Sequence, residues 1–338
     1  MRWKNKYASY IKTPEDCYVA IDTMLASLND QYSRFMSEEE FKSQNEEIDA
    51  KITGIGITIS SISGKIVILD VLKNTPANKA GIKPGDILTK VNGKDVHGLD
   101  LADVSKLIRG PIGSVVGVEF MRDKKKISYN IQRREIEIQS VESEIINNDI
   151  GYIKISSFIG LNVAEHFLQA IEQTKDSRGL IIDLRGNTGG LLPNALLIAS
   201  LFIPNGEIVS VVDRNGSIMP LNAQRQTLIV DKPTVILVDG ATASASVILS
   251  GALSDYGIAT LVGQKTFGKG IIQTLLSLSD GSGLKITTEE YYTPKGTTIH
   301  KVGINPDEEV KLPDTVKSIY LVQEEEDTQL KKAIEILK

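Results

Sequence analysis

The side chains best suited to covalent chemistry lie between residues 240 and 274. Thr234 to Val238 is a β-branched, apolar run that reads as a buried strand. Gly240 breaks it, and Ser244 and Ser246 open a segment rich in Ala, Leu and Ile that reads as a helix ending near Gly257. A serine at a strand-to-helix junction sits among unpaired backbone N–H groups, at the positive end of the helix dipole. That setting suits a nucleophile whose attack leaves an oxyanion beside it; it equally suits an N-cap. A base is available in Phe267-Gly-Lys-Gly-Ile-Ile-Gln, where glycines flank Lys269 and Phe267, Ile271 and Ile272 make its surroundings apolar. An amine held there loses solvation of its charged form, so its pKa falls and it can accept a proton. Gln273 follows at a spacing that lets it orient the amine without adding charge. The competing reading leaves Lys269 a solvated turn lysine and Gln273 an ordinary strand residue.

A second glycine-rich turn, Asp183-Leu-Arg-Gly-Asn-Thr-Gly-Gly, ends an almost wholly apolar strand and feeds a helix beginning near Pro193. Such a turn leaves N–H groups free for an anion. A phosphate site would call for Gly-Lys-Ser/Thr or Gly-x-Gly-x-x-Gly, and neither occurs. The better reading is half of an oxyanion hole, with the Gly190 N–H, preferred to that of Gly189, meeting the Ala245 N–H across an attacked carbonyl. Asp183 and Arg185 read as a structural tie that holds the turn. A histidine base is the rival design, but only His97, His166 and His300 are present and no Gly-x-Ser-x-Gly elbow occurs. The three histidines lack ligand spacing, so no metal and no cofactor is expected.

Thr242-Ala-Ser-Ala-Ser, Gly251-Ala-Leu-Ser-Asp and Gly263-Gln-Lys-Thr-Phe-Gly-Lys-Gly-Ile-Ile-Gln resemble the active-site region of the carboxy-terminal processing peptidases, or tail-specific proteases. The resemblance implies a serine peptidase with a Ser/Lys dyad: nucleophile Ser244, base Lys269, and Gln273 as the residue that orients the lysine. The Asp183 turn resembles the family's second hallmark, and Gly303-Ile-Asn-Pro-Asp its closing motif. Two positions depart from the pattern: Val247 stands where Glu is usual, and Gln31 where Pro is usual in the Leu28-Asn-Asp-Gln-Tyr-Ser segment. Thr75-Pro-Ala-Asn-Lys-Ala-Gly-Ile-Lys-Pro-Gly-Asp resembles the most recognisable stretch of PDZ domains. Gly54, Ile55, Gly56 and Ile57 fit the PDZ carboxylate-binding loop, where successive backbone N–H groups turn toward a chain end and a strand edge accepts a peptide.

These motifs must be positioned by a multidomain α+β chain. The expected parts are an N-terminal helical region (1–50), a PDZ-like β domain (51–134), an α/β peptidase core with a helix-covered sheet (135–312) and a C-terminal helical segment (313–338). The last, with Leu330, Ile334 and Leu337 on one face, is expected to pack on the N-terminal helices, in cis or in trans. At 338 residues, 41% hydrophobic and 24% charged, the chain has the composition of a globular protein. A net charge of −5 with dispersed Lys and Arg argues against nucleic acid. The single Cys17 excludes an internal disulfide. The longest apolar stretch, 191–203, is interrupted by Pro193 and Asn194 and too short to span a bilayer. No signal peptide is visible after the basic residues 1–7, although the resemblance implies an extracytoplasmic site of action. The reading is therefore an endopeptidase acting at protein C-termini, on substrates with a free, apolar tail. A homo-oligomer and a regulatory protein are expected partners. The competing class is an inactive PDZ scaffold that binds C-terminal peptides.

Overall fold

The computed structural model describes residues 9–48, 51–62, 64–72, 74–137, 140–316, 319, 322 and 324–338. The basic residues 1–7 lie outside them. The chain divides into two compact units, Met1–Asp49 with Gln139–Lys338, and Ala50–Ile138.

The first unit is built on a six-stranded sheet. Its strands run Val141–Ile146, Ile150–Ile155, Gly179–Asp183, Thr234–Val238, Ala259–Gly263 and Glu308–Glu309 in spatial order, all parallel except the first pair. Parallel strands need covered faces, and the continuous apolar runs at 179–183 and 234–238 answer that need. Leu180, Ile182 and Ile236 pack among the helices Val163–Gln173, Leu192–Ser200 and Ala245–Asp255. Ile181, Val235 and Leu237 face the other way, toward Ala333 and Leu337. Each such side chain contributes about 2 kcal/mol of burial free energy.

That second face corrects one expectation. The helix Thr328–Ile336 packs on the core sheet, with Leu330, Ile334 and Leu337 inward, and not on the N-terminal helices. Its start is fixed by Arg185, whose guanidinium is 2% exposed. Arg185 pairs with Asp183 at 2.7 Å and with Asp327, the N-cap of this helix, at 2.9 Å. Its Nη1 also donates to Gln329 Oε1, and Tyr152 donates to Asp183.

A second sheet in this unit contains the hairpin Ile271–Ser277 and Gly283–Tyr292. Arg34–Met36 pairs antiparallel with the same long strand, Phe35 opposite Leu284. The N-terminal helix Pro14–Ala26 thus belongs to this unit. It opens with a reciprocal Thr13/Asp16 capping box, and its Tyr18 ring lies 4.6 Å from that of Phe35.

The other unit is a set of antiparallel strands, Ile57–Ile62, Lys65–Val71, Ile87–Val91, Val115–Arg122 and Lys125–Gln132, with helices Pro76–Ala80 and Leu101–Ile108. Ile68, Leu88, Val104, Val118 and Phe120 form its own core.

Arg185→Met removes the cation and leaves Asp183 and Asp327 buried together. It is expected to destabilise the first unit by about 3–5 kcal/mol, read as a lowered unfolding midpoint in calorimetry; an unchanged midpoint would show that the triad holds nothing.

Candidate active site

Two turns at the carboxyl ends of adjacent parallel strands, 184–191 and 239–244, meet where ligands of open α/β sheets bind. Asn187, fully buried, fastens them. Its carbonyl accepts from Ala243 N–H at 3.0 Å and Ser246 Oγ at 3.1 Å, its Oδ1 accepts from Gly189 N–H at 2.9 Å, and its Nδ2 donates to Ile155 O at 2.7 Å. Asp239 reinforces the contact by accepting from the backbone N–H groups of Gly186, Ala241 and Thr242. Thr242 Oγ1 reaches back to Leu184 O at 3.0 Å.

Ser244 stands at the N-cap position of helix Ala245–Asp255 with φ 56 and ψ −123. Its hydroxyl makes no capping bond. The cap reading therefore falls: the side chain is turned out of the helix by a backbone conformation that costs a non-glycine residue about 1–3 kcal/mol. Gly189 makes this possible, since a Cβ there would lie 2.6 Å from the Ser244 Cβ and 2.7 Å from Ala243 O. The Gly189 N–H is committed to Asn187, whereas those of Gly190 and Ala245 have no acceptor among the described residues. Two free donors thus lie in the turns that meet at Ser244, at the positive end of a helix dipole.

Phe267 N–H donates to Thr242 O at 3.0 Å, bringing the lysine-bearing segment alongside the serine loop. Lys269 Nζ donates to Gln273 Oε1 at 3.2 Å, and Gln273 Nε2 donates to Tyr32 O at 2.6 Å. The amine lies 4.9 Å from the centroid of the Tyr32 ring. Burial pushes Lys269 below the ordinary lysine value, while the charge of Asp30 pulls it back up. No hydrogen bond joins Lys269 to Ser244 among the described residues. Tyr291 stands between their segments: its phenol donates to Lys269 O and sits beside the Ser244 hydroxyl. Burial raises the phenol well above its ordinary value, an effect that hydroxyl partly offsets.

Ser244, Ala245, Gly190, Lys269 and Gln273 thus lie in segments that are tied together in one unit. Asp30, Tyr32 and Tyr291 also belong to this site, and none was singled out from the sequence. The nearest signal was the Leu28-Asn-Asp-Gln-Tyr-Ser run, which resembled a family segment but carried no role. Val247, at the family's usual Glu position, is fully buried in the apolar core. His97 is exposed, His166 lies within helix Val163–Gln173, and His300 is half-buried with Nδ1 unpartnered among the described residues. Among the described residues no cluster of His, Cys, Asp or Glu could hold a metal, and no helix is long and apolar enough to cross a membrane.

In the other unit, Gly54, Ile55, Gly56 and Ile57 line a groove of about 170 Å3 with Ile59, Leu72, Ile108 and Arg109. Gly56, at φ 85, lies against Thr75, where a Cβ would clash at 2.3 Å. The N–H groups of Ile55 and Gly56 have no acceptor among the described residues.

Comparison with known proteins places these features. Peptidase family S41 matches residues 149–310, and the PDZ domain matches residues 67–122. The carboxy-terminal processing protease CtpA of Bacillus subtilis (strain 168) is 42% identical over 318 residues, covering 92% of this chain and 68% of the relative. The carboxyl-terminal-processing protease of Synechocystis sp. is 35% identical over 342 residues, covering 97% and 79%. The solved structure of the photosystem II D1 C-terminal processing protease matches with a TM-score of 0.61 at 30% identity, over 92% of this chain and 87% of that one.

Gly189→Ala tests the geometry around Ser244. The added methyl must displace the serine loop, so labelling of Ser244 by a fluorophosphonate should slow roughly a hundredfold or more in a protein that still unfolds cooperatively. Undiminished labelling would mean that the close approach of the two turns is irrelevant to the hydroxyl.

Proposed function

We infer the mechanism from one premise: this chain belongs to the carboxy-terminal processing proteases of peptidase family S41, serine-type peptidases with a PDZ domain. We propose that Ser244 is the nucleophile, Lys269 the general base and Gln273 its orienting residue. Gly190 and Ala245 supply the oxyanion hole. The observation that carries the reading is Ser244 itself, held in a strained turn with its hydroxyl uncommitted to the helix cap and beside the Tyr291 phenol, and with two backbone donors unpaired among the described residues in the adjoining backbone.

The steps follow from those groups. Neutral Lys269 takes the hydroxyl proton as Ser244 Oγ attacks the carbonyl carbon of the scissile peptide bond. The tetrahedral oxyanion that forms accepts from Gly190 N–H and Ala245 N–H, each worth about 3 kcal/mol in comparable sites. Collapse breaks the C–N bond, and the Lys269 ammonium returns its proton to the departing amine. Lys269, neutral again, deprotonates a water that attacks the acyl carbonyl; collapse of this second tetrahedral intermediate breaks the Ser244 Oγ–C bond, and the Lys269 ammonium returns its proton to Ser244 Oγ. Burial supports this cycle because it keeps the amine neutral at a lower pH than an exposed lysine.

The substrates are proteins, and the second unit is proposed to recognise their C-termini. A terminal carboxylate would accept from the free N–H groups of Ile55 and Gly56, with the preceding backbone added along Ile57–Ile62. Ile55, Ile57, Leu72 and Ile108 favour an apolar last residue.

Ser244→Ala and Lys269→Ala should each lower kcat/KM on an unfolded protein by about 10⁴ or more, measured with the full chain. Equal cleavage by wild type and Ser244→Ala would remove the serine from the mechanism, and no cleavage by any of the three would favour a binding scaffold. For recognition, amidating the C-terminus of an apolar-tailed peptide should weaken binding roughly tenfold or more by fluorescence anisotropy. Indifference to amidation would withdraw the carboxylate role of residues 54–57.

A further inference from the structure

The segment 29–33 belongs to the N-terminal part of the chain, yet it reaches both the amine of Lys269 and that amine's hydrogen-bond partner, Gln273. Tyr32 meets the lysine system twice. Its carbonyl accepts from Gln273 Nε2 at 2.6 Å, which leaves Oε1 as the atom that faces Lys269 Nζ. Its ring lies under the same Nζ, 4.9 Å from the centroid, within cation–π range. The segment is itself fixed. Ser33 Oγ donates to Asp30 Oδ2 at 2.6 Å and accepts from Thr287 N–H at 3.1 Å, and Tyr32 N–H donates to Asp30 Oδ1 at 3.2 Å.

We propose that Tyr32 is a positioning residue for the base: its carbonyl sets the Gln273 amide toward Lys269, and its ring holds the amine in place by favouring the ammonium. This rests on the reading of Lys269 as the base. An amine with a neutral acceptor on one side and a ring face on the other has a defined seat without a carboxylate in contact. A contacting carboxylate would keep the proton on the lysine; a bare apolar pocket would leave the amine unaligned. The ring supplies an attraction of intermediate strength, because its quadrupole interacts with the charged form and hardly with the neutral one.

Other titratable groups near this seat are accounted for. Glu289 and Glu290 stand across the strand pair at Ile272 and Ile271, where Glu289 accepts from Thr288 and Glu290 from Tyr292. Tyr291 donates to the Lys269 carbonyl and not to its amine. His300 and Lys301 adjoin Gly270 and Gly268 through their backbone. Among the described residues, Asp30 is the charge that bears on the amine, and it supports the ammonium. It is held by the backbone N–H of Tyr32 and by Ser33, so changing the ring leaves that carboxylate in place.

The test reads the amine directly. Trace labelling with acetic anhydride across pH, quantified at Lys269 by mass spectrometry of the full chain, gives its titration midpoint whether or not the protein cleaves anything. Tyr32→Phe should match the wild type. Tyr32→Leu keeps the bulk and loses the quadrupole, so the midpoint should fall by about half to one pH unit, with the acid limb of kcat/KM moving in parallel. Should the leucine variant not fold, mono-, di- and trifluorophenylalanine at position 32 weaken the ring face stepwise at nearly constant size, and the midpoint should fall along that series. A midpoint that stays put in these variants, while cleavage requires Lys269, overturns the role of Tyr32 alone. Cleavage that survives Lys269→Ala overturns the base assignment and the proposal with it.

Discussion

One buried amide governs the geometry of the site. Asn187 uses its carbonyl, its Oδ1 and its Nδ2 to join two turns and the end of the neighbouring strand Ile150–Ile155. A non-glycine residue at φ 56 does not hold itself there; about 1–3 kcal/mol of strain persists only where surrounding contacts over-determine it. The bonds from Ala243, Ser246 and Thr242 across to Asn187 and Leu184, at about 1 kcal/mol each, are sufficient. The effect is that the hydroxyl of Ser244 is withheld from the capping bond it would otherwise make. The helix start keeps unsatisfied donors, and an incoming oxygen can take them.

The lysine obeys a different constraint. Desolvation moves it toward neutrality, while Asp30 acts the other way. What contacts the amine is uncharged: the Gln273 carbonyl oxygen and the Tyr32 ring. A glutamate at position 273 would fix the amine as firmly and would also trap its proton, because an opposite charge within a few ångströms favours the ionised form. An amide supplies direction without that penalty. The Gln273 amide is in turn kept from flipping by having its Nε2 committed to a carbonyl.

Much of this was legible because it is local. Apolar runs at 179–183 and 234–238, glycines at the ends of both, and a Lys between glycines can each be read within a window of a few residues. That window placed Ser244 at the helix start but could not tell a capping hydroxyl from one withheld from the cap, since both need the same residue type and the backbone conformation separates them. Contacts between remote segments were beyond it. Gln273 bonds a backbone carbonyl 241 positions away, and a carbonyl carries no side-chain identity to read. The docking of Thr328–Ile336 depends on Arg185 finding its second carboxylate 142 positions away. Amphipathic spacing showed that Leu330, Ile334 and Leu337 would be buried, but not against what.

Both units present the same kind of group, backbone N–H donors without acceptors, at Ile55 and Gly56 in one and at Gly190 and Ala245 in the other. In the proposed reading their energetic consequences differ with when the negative oxygen exists. A chain-terminal carboxylate is charged before, during and after cleavage, so the energy of binding it is the same in ground and transition states and lowers KM alone. The oxyanion exists only once Ser244 has attacked, so the donors beside it act on kcat. In that reading the two sets of donors bind negative oxygens that exist at different times, and no atom of the carboxylate site takes part in the chemical step.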